Sequence, residues 1–381
     1  MPLDSVTELA SPVLDASDNT AKPGVGLCLS GGGYRAMLFH VGTLWRLNET
    51  GMLAKLDRIS SVSGGSITAS VLGLAWGSLE FDAGVARRFD ELLVSPIRNL
   101  AGRTLDAKAI VGGIFLPGSI GDKIANAYDA HLFHGATLQN LPDAPRFVIN
   151  ATNVQSGALW RFSKSYMADY RVGRVDNPTV ALGAAVAASS AFPPVLSPVQ
   201  LTIARGEMKP VVGADLCREP YTTDVVLSDG GVYDNLGLET VWKRLDTVLV
   251  SDAGGKLQAE EDPPRNWAEH SMRVLDLIDN QVRSLRKRQL IEAYQRNQRK
   301  GAYWGIRTNI VDYALPDALP CPFARTLELA NVATRLKRLE PELQERLINW
   351  GYAVCDAALR KHVASAGPWP PPRFPYPTVP V

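Results

Sequence analysis

The sequence predicts an α/β fold of three layers, in which helices flank a mainly parallel central sheet, with a helical extension at the C-terminus. Two neighbouring units carry this prediction. Residues 24–29 are short, apolar and β-prone, and they run through glycines into a helix predicted over residues 34–48. Residues 58–62 form a second such strand, which runs through serines into a helix predicted over residues 64–76. Strands that alternate with helices in this way are typical of a parallel sheet.

The first of these helices is predicted from the spacing of its apolar side chains. Met37, Val41 and Leu44 recur at intervals of three and four residues, which places them on one helical face. Gly51 follows the last of these turns and is a typical C-terminal cap. The second helix is apolar throughout, which predicts a buried position.

The rest of the chain continues the alternation and then becomes helical. Strands are predicted over residues 146–149, 224–227, 247–250 and 302–306, and helices over residues 180–190 and 267–299, with two more over residues 325–362 that divide near Glu340 and Pro341. The predicted organisation is an N-terminal segment 1–23, a catalytic domain 24–256 with an insertion or cap over about 98–142, a helical region 257–366 packed on that domain, and an extended proline-rich tail 367–381.

Composition excludes several classes of protein. The 381 residues carry a formal net charge of +1, so composition gives no support to nucleic-acid binding. The four cysteines are scattered, which argues against a disulfide framework or a zinc site, and no metal or cofactor is expected. The acidic N-terminus does not resemble a signal peptide. We expect a cytoplasmic protein, with peripheral contact at a membrane left open.

The serine-rich turn after the second strand resembles a nucleophile elbow. Ser63 has small residues, Ser61 and Gly65, two positions before and two positions after it, and Gly64 follows it directly. A nucleophile on a sharp strand-to-helix turn needs small neighbours because the turn brings backbone segments close together. The alternative is that Ser63 only caps the helix.

The glycine turn after the first strand favours an oxyanion hole. In a right-handed βαβ unit both turns emerge at the same sheet edge. Gly31, Gly32 and Gly33 would present bare amides there at a helix N-terminus, and Arg35 would add positive charge. A phosphate cradle is the competing interpretation, but neither a P-loop nor a dinucleotide fingerprint is present.

The base that would activate Ser63 has two main candidates. Asp229 and Asp252 each follow an apolar strand and precede glycine, so each is predicted at the same sheet edge. The five histidines are less suitable, because none follows a strand end with turn glycines: His40, His131, His134, His270 and His362. A triad of Ser63, Asp229 and either His270 or His362 would follow the Ser, Asp, His chain order of α/β-hydrolases. That fold, however, places more strands before its nucleophile than this chain has room for.

Four segments together resemble the patatin-like phospholipase family, which is also similar to the catalytic domain of cytosolic phospholipase A2. They are residues 29–36 (LSGGGYRA), 61–65 (SVSGG), 188–194 (ASSAFPP) and 228–231 (SDGG), in the order of the family. Ser61 replaces the usual glycine of the family.

The resemblance implies a Ser–Asp dyad without histidine, and its D-G-[GA] segment selects Asp229 over Asp252. It also implies that the arginine after the glycines assists the oxyanion, whereas residues 188–194 are expected to pack beneath the dyad without taking part in the chemistry. The candidate set is therefore Ser63 and Asp229 for catalysis, with Gly31, Gly32, Gly33, Arg35 and Gly64 for the oxyanion hole.

The implied function is a serine acyl hydrolase of the phospholipase A or lysophospholipase type, which acts on a phospholipid or lysophospholipid through an acyl-enzyme. Alternatives are a non-catalytic or regulatory lipid-binding protein on the same fold, and an acyltransferase or esterase acting on other esters. Residues 110–120 either line an acyl pocket, form a lid or belong to the core. The basic run in the long helix is either a solvated face or a transient contact with a membrane surface: Arg283, Arg286, Lys287, Arg288, Arg296, Arg299 and Lys300.

Overall fold

A computed structural model of the protein describes residues 21–105, 120–193, 196–363, 367 and 369–381. Its centre is a ten-stranded mixed sheet, accompanied by a small two-stranded hairpin. The strands are β1 Lys22–Leu29, β2 Arg58–Ser61, β3 Phe81–Asp82, β4 Val85–Ala86, β5 Arg146–Asn153, β6 Ala158–Phe162, β7 Tyr166–Asp169, β8 Gly173–Asp176, β9 Val199–Thr202, β10 Asp224–Asp229, β11 Leu245–Asp252 and β12 Lys300–Gly305.

The helices flank this sheet and form the C-terminal region. They are α1 Gly33–Glu49, α2 Gly64–Ala75, α3 Ser95–Ala101, α4 Ile120–Tyr128, α5 Leu182–Ser189, α6 Gly231–Asp234, α7 Glu239–Trp242, α8 Trp267–Gln295, α9 Phe323–Ala330 and α10 Pro341–His362. Side chains of β1 alternate between two cores: Leu27 and Leu29 join a large cluster with α1, α2 and α10, whereas Cys28 joins a smaller one beneath α7 and α8. The predicted layers of helix, sheet and helix are therefore confirmed.

The sheet is parallel in the half that carries the two turns. Its order is β12-β11-β1-β2-β5-β6-β7-β8, and the five strands from β12 to β5 are parallel neighbours. Beyond β5 the pairing is antiparallel through β6, β7 and β8. Strands β6 to β9 were missing from the sequence prediction; β6 and β7 are buried throughout, so they lack the alternation of a half-exposed strand.

The strand that carries Asp229 meets the strand before Ser63 end to end. The first half of β5 pairs with β2, whereas residues Ala151 to Asn153 pair with β10 on one edge and with β6 on the other. Strand β10 therefore occupies the same edge of β5 as β2, beyond the end of β2, and it runs in the opposite direction. The sequence predicted Asp229 at the same sheet edge as Ser63 without giving the direction of its strand. The strand is antiparallel to β5, and the two carboxyl ends meet because the strands converge.

The other predicted elements differ from the structure mainly at their ends. Strands β10, β11 and β12 and helices α5 and α8 lie within a few residues of the predicted ranges. Helix α10 begins at Pro341, as predicted, because proline suits the first turn of a helix. Residues 331–340 are not helical, so the predicted pair of helices is shorter than expected.

The C-terminal helix α10 crosses α1 at very close range, and glycines permit this. A Cβ added to Gly42 would lie 1.9 Å from the carbonyl oxygen of Ile348, and one on Gly351 would lie 1.9 Å from that of Phe39. Beside this crossing, buried Arg46 of α1 pairs with Asp356 of α10 at 2.8 Å. The helical region is thus packed into the main core.

The proline-rich tail is also held by the catalytic domain and α10. Arg46 donates a hydrogen bond to the carbonyl of Pro370, and the Asn349 amide donates to the carbonyls of Tyr376 and Val379 at 2.9 Å each. Within the region predicted as an insertion or cap, α3 and α4 contribute side chains such as Leu100 and Tyr128 to the main core. The predictions for residues 110–119 lie outside the described residues.

Candidate active site

Ser63 stands on a strained turn between β2 and α2. Its backbone has φ 52° and ψ −120°, a region that is sparsely populated by residues with a Cβ. Helix α2 begins at the next residue, Gly64, so the turn is as sharp as the sequence predicted. The Ser63 amide donates to the hydroxyl of Ser189 at 3.0 Å, which anchors the turn on the end of α5.

The small residues around Ser63 are required by the neighbouring glycine turn. A Cβ on Gly64 would lie 2.2 Å from the carbonyl oxygen of Gly33, and a Cβ on Gly31 would lie 3.2 Å from the Cβ of Ser63. A Cβ on Gly65 would lie 2.4 Å from the carbonyl oxygen of Leu29. The two turns therefore lie side by side at the edge of the sheet, as the βαβ pattern predicts.

Three buried hydroxyls support the turn from below. The Ser66 hydroxyl contacts those of Ser61 and Ser189 at 3.1 Å and 2.8 Å. All three serines are fully buried, so Ser61 fits at the position of the usual glycine as a member of a polar network. The sequence indicated that residues 188–194 pack beneath the site, but it gave no signal for the role of Ser189 in holding the Ser63 amide.

Asp229 ends β10 and lies against Ser63. One of its carboxylate oxygens, Oδ1, accepts a hydrogen bond from the Gly231 amide at 2.7 Å, and the Ser63 side chain forms a second hydrogen bond to the carboxylate. Burial raises the pKa of Asp229 to about 7, although these two hydrogen bonds lower it. A carboxylate with a pKa near neutrality, next to a hydroxyl, has the properties of a general base.

Asp252, the rival candidate, is occupied by other partners. It lies 2.5 Å from the Lys287 ammonium, accepts a hydrogen bond from the Tyr303 hydroxyl at 2.7 Å and accepts another from the Gly254 amide. Burial alone would raise the pKa of Asp252, but Lys287 and these hydrogen bonds outweigh it and hold that pKa well below its usual range. The contacts of Asp252 are therefore those of a carboxylate that supports the structure.

The histidines do not form a triad with Ser63 in the described part of the chain. The ring of His40 is buried between the Ser251 hydroxyl and the Ser30 carbonyl, at 2.9 Å from each, and burial lowers its pKa to about 4. The other four histidines are exposed. His270, one of the two triad candidates, contacts the carbonyl of Pro264.

The glycine turn offers two free amides beside Ser63. Gly32 and Gly33 have φ angles of 146° and 59°, which only glycine adopts readily. Their amides, and that of Gly64, have no acceptor among the described residues, as expected at helix N-termini. The Gly31 amide differs from the expectation, because it donates to the Asn235 carbonyl at 3.1 Å.

Arg35 also differs from the expectation. Its guanidinium is buried and donates to the backbone carbonyls of Ala253 and Val332, with an Nη2 to Ala253 distance of 3.0 Å. Burial lowers the pKa of Arg35 to about 10, and nearby Arg307 contributes to this shift. The side chain thus ties the loop before α10 to the end of β11, and it does not line the cavity above Ser63.

A cavity of about 430 Å³ opens above Ser63 and Asp229. Its floor holds Gly31, Gly32, Ser63, Asp229 and Asn235. Its rim is charged and comes from the loop after β11 and from α8, with Lys256, Glu260, Arg273, Asp276, Asp279 and Arg283. Asn235 was not predicted as a site residue; it lies in the helical turn after Asp229, where nothing in its sequence context distinguishes it.

Part of the basic run of α8 is directed toward the protein. Three of its cations pair with carboxylates: Arg283 with Asp279 at 3.0 Å, Arg286 with Glu239 at 3.3 Å and Lys287 with Asp252 at 2.5 Å. Arg299, just after the helix, is buried and donates to the Trp242 carbonyl. Arg283, Arg286 and Lys287 are therefore held against the protein, and Arg299 is buried. The other members of the run, Arg288, Arg296 and Lys300, are exposed, as expected of a solvated face.

The opposite face of α8 is apolar and exposed. Trp267, Val274, Ile278 and Leu285 recur at intervals of seven, four and seven residues, which places them on one side of the helix. They are 41% to 84% exposed. No helix in the described part of the chain is long and apolar enough to cross a membrane.

Comparison with known proteins agrees with the four segments. The family model described as patatin-like phospholipase matches residues 27–242, more than half of the chain. No curated protein matches the sequence. A structure of human GIVD cytosolic phospholipase A2 with methyl gamma-linolenyl fluorophosphonate is 15% identical, covering 90% of this chain and 58% of that chain, with a TM-score of 0.49.

Two further structures are similar at lower scores. A second structure of the human GIVD enzyme is 14% identical, with 60% of this chain and 45% of that chain covered and a TM-score of 0.38. VipD from Legionella pneumophila is 17% identical, with 89% of this chain and 67% of that chain covered and a TM-score of 0.37. This chain thus spans less than two thirds of the length of the human enzyme in both comparisons.

Proposed function

The chain belongs to the patatin-like phospholipase family, and on that premise we propose that it hydrolyses acyl esters of phospholipids or lysophospholipids through a Ser63–Asp229 dyad. The hydrogen bond between these two side chains, at the point where β2 and β10 meet, is the observation that supports the proposal most strongly. The strained backbone of Ser63 supports it independently, and the near-neutral pKa of Asp229 agrees with it.

In the proposed reaction, Asp229 accepts the proton of the Ser63 hydroxyl as the Ser63 oxygen attacks the acyl carbonyl. The tetrahedral intermediate then collapses: the ester C–O bond breaks, and the protonated Asp229 returns the proton to the departing alcohol. Water attacks the resulting acyl-enzyme with Asp229 again as base, which releases a fatty acid and regenerates Ser63.

We assign the stabilisation of the oxyanion to the amides of Gly32, Gly33 and Gly64. These donors belong to the two adjacent turns, and they have no other acceptor among the described residues. Donors that are fixed before the reaction stabilise the developing charge without reorganisation. Gly31 then serves the site by allowing the glycine turn to approach Ser63, and Arg35 by holding the surrounding loops.

A lipid substrate requires contact with an aggregate or a membrane surface, and we assign this contact to the apolar face of α8. Exposed apolar side chains that include a tryptophan are favourable at the boundary between head groups and acyl chains. The proposal does not involve nucleic acid. We also propose a cytoplasmic location for the protein, which the four unpaired cysteines support.

Mass spectrometry of the products from a panel of phospholipids, lysophospholipids and neutral esters tests this function. We expect a free fatty acid and the matching alcohol from wild type and from the exposed control Ser78→Ala, and none from Ser63→Ala. A fatty acid transferred to a second lipid would favour the acyltransferase alternative. Lipid binding without any product, from a folded wild type, would favour the non-catalytic one.

A further inference from the structure

A second cavity of about 330 Å³ lies beside the catalytic one. Both cavities are lined by Gly255, Lys256 and Arg283, so a short stretch of loop and one turn of α8 separate them. The second cavity extends between α8 and the end of β12, where it reaches Arg307 and Thr308. None of these residues except Gly255, Lys256 and Arg283 belongs to the catalytic cavity.

Positive charge is in excess in this second cavity. Lys256, Arg283, Lys287 and Arg307 line it, against the single carboxylate of Asp252 among the described lining residues. Asp252 is already paired with Lys287. Lys256 is exposed, whereas Arg283, Lys287 and Arg307 are half-buried. Clustered cations that are partly withdrawn from water are unfavourable unless an anion compensates them.

Arg307 is the cation that is least compensated. Its Nη2 donates only to neutral groups, the carbonyl of Ala330 at 3.1 Å and the side-chain oxygen of Asn331 at 2.9 Å. Burial lowers the pKa of Arg307, and neighbouring Arg283 lowers it further. Among the described residues no carboxylate lies within ion-pair distance of Arg307, and the attraction of the Asp252 carboxylate only partly offsets the lowering of its pKa.

Unused donors of these arginines favour an anion with several oxygens. The Nε atoms of Arg283 and Arg307 are buried and have no hydrogen-bond partner in the described part of the structure. The hydroxyl of Thr308, which accepts from the Gly305 amide, lines the same cavity. A guanidinium fork matches the geometry of phosphoryl oxygens.

We propose that this second cavity binds a phosphoryl group, held by Arg307 and Arg283 with Thr308 and Lys256 at its edges. The phosphoryl group comes either from a lipid whose ester lies in the neighbouring catalytic cavity or from a free soluble phosphate. The first source rests on the proposed function, whereas the second does not.

Isothermal titration of the intact protein with inorganic phosphate, and separately with glycerol 3-phosphate, tests the binding itself. We expect saturable binding to wild type, at least tenfold weaker binding to Arg307→Gln, and partial recovery in Arg307→Lys. Arg205→Gln, which removes an exposed arginine elsewhere, is expected to bind as wild type does. Thermal unfolding shows that each variant is folded. Absence of saturable binding to wild type, or equal binding to folded Arg307→Gln, would overturn the proposal.

Hydrolysis of two esters with the same acyl chain distinguishes the sources. If the phosphoryl group belongs to the substrate, Arg307→Gln raises KM for a lysophospholipid about tenfold, with kcat and the KM for a monoacylglycerol unchanged. If the ligand is a free phosphate, both KM values stay the same while phosphate still binds through Arg307. A protein that hydrolyses no lipid but binds phosphate through Arg307 would contradict the proposed function and leave this inference intact.

Discussion

Ser63 and Asp229 are brought into hydrogen-bond contact by two strands that converge along one edge of β5. The carboxyl end of β2 and that of β10 face each other, so neither side chain has to reach across the sheet. This arrangement keeps Asp229 buried and raises its pKa to about 7. The proposed activity depends on Ser63 and Asp229.

The first prediction concerns the pH dependence of hydrolysis. Asp229 must be ionised to accept the Ser63 proton, so we expect kcat/KM to fall about tenfold per pH unit below the Asp229 pKa of about 7. Asp229→Asn should lower kcat by about 100-fold or more, whereas His270→Ala and His362→Ala should keep most of the activity. The measurement is kcat/KM for a soluble ester between pH 5 and 9. A flat profile, or inactivation by either histidine variant in a folded protein, would contradict the dyad.

The same carboxyl group affects stability with the opposite dependence on pH. The folded pKa of Asp229 lies above its usual value of 3.8, so the stability that it contributes is full below pH 4 and is lost as pH rises through about 7. We therefore expect Asp229→Asn to be more stable than wild type at pH 8, by roughly 1–3 kcal/mol, since one pKa unit corresponds to about 1.4 kcal/mol. Urea unfolding at pH 5 and pH 8 measures this, and an equal difference at both pH values would refute it.

Arg35 is expected to act through stability. Arg35→Ala removes three hydrogen bonds to carbonyls, two of them buried, which should cost about 2–4 kcal/mol in the free energy of unfolding. The exposed control Arg205→Ala should change stability by less than about 0.5 kcal/mol. Thermal unfolding and kcat are measured together. If Arg35→Ala leaves the Tm unchanged and lowers kcat about 100-fold, the arginine acts on the oxyanion after all.

The crossing of α1 and α10 depends on the absence of a side chain at Gly351. In Gly351→Ala the new Cβ would lie 1.9 Å from the Phe39 carbonyl oxygen, and the helices would have to separate. We expect a loss of about 1–3 kcal/mol of stability. Gly77→Ala is the matched control, because nothing lies within 4 Å of its Cβ position. Equal denaturation midpoints for the two variants would show that the crossing tolerates a methyl group.

The apolar face of α8 is expected to control binding to lipid surfaces. The double variant Ile278→Ser and Leu285→Ser removes two side chains that are 52% and 58% exposed, so little folding energy is lost. We expect co-flotation with phosphatidylcholine vesicles to fall about tenfold or more, because about 25 cal/mol is lost per Å² of apolar contact. Val212→Ser, at another exposed apolar position, is the control. Unchanged flotation of the double variant would assign the contact to another surface.

Features that depend on local sequence could be predicted, whereas those that depend on distant partners could not. The turns at Gly32 and Ser63 were predictable because small residues between a strand and a helix have few other uses. The direction of β10 was not, because Asp229 follows an apolar strand in the same way whether that strand runs parallel or antiparallel to β5. Its pairing is decided by contacts far along the chain.

The contacts of charged residues also could not be predicted, because their partners are distant in the chain. The sequence places Arg35 next to the glycines, but its guanidinium is captured by the carbonyls of Ala253 and Val332, more than two hundred residues away. Arg283, Arg286 and Lys287 of α8 resemble part of a solvated face until their carboxylate partners, such as Glu239, are located in the fold. Neither the hydrogen bonds of Arg35 nor the ion pairs of α8 can be predicted from the neighbouring residues in the sequence.

Reaction with a fluorophosphonate, followed by peptide mass spectrometry, tests directly whether Ser63 is the nucleophile. Such a probe forms a stable adduct only with an activated serine. We expect one adduct, at Ser63, that is absent from Ser63→Ala and forms more slowly as pH falls below about 7, the pKa of Asp229. An adduct at Ser61 or Ser66, or lipid hydrolysis that persists in Ser63→Ala, would contradict it.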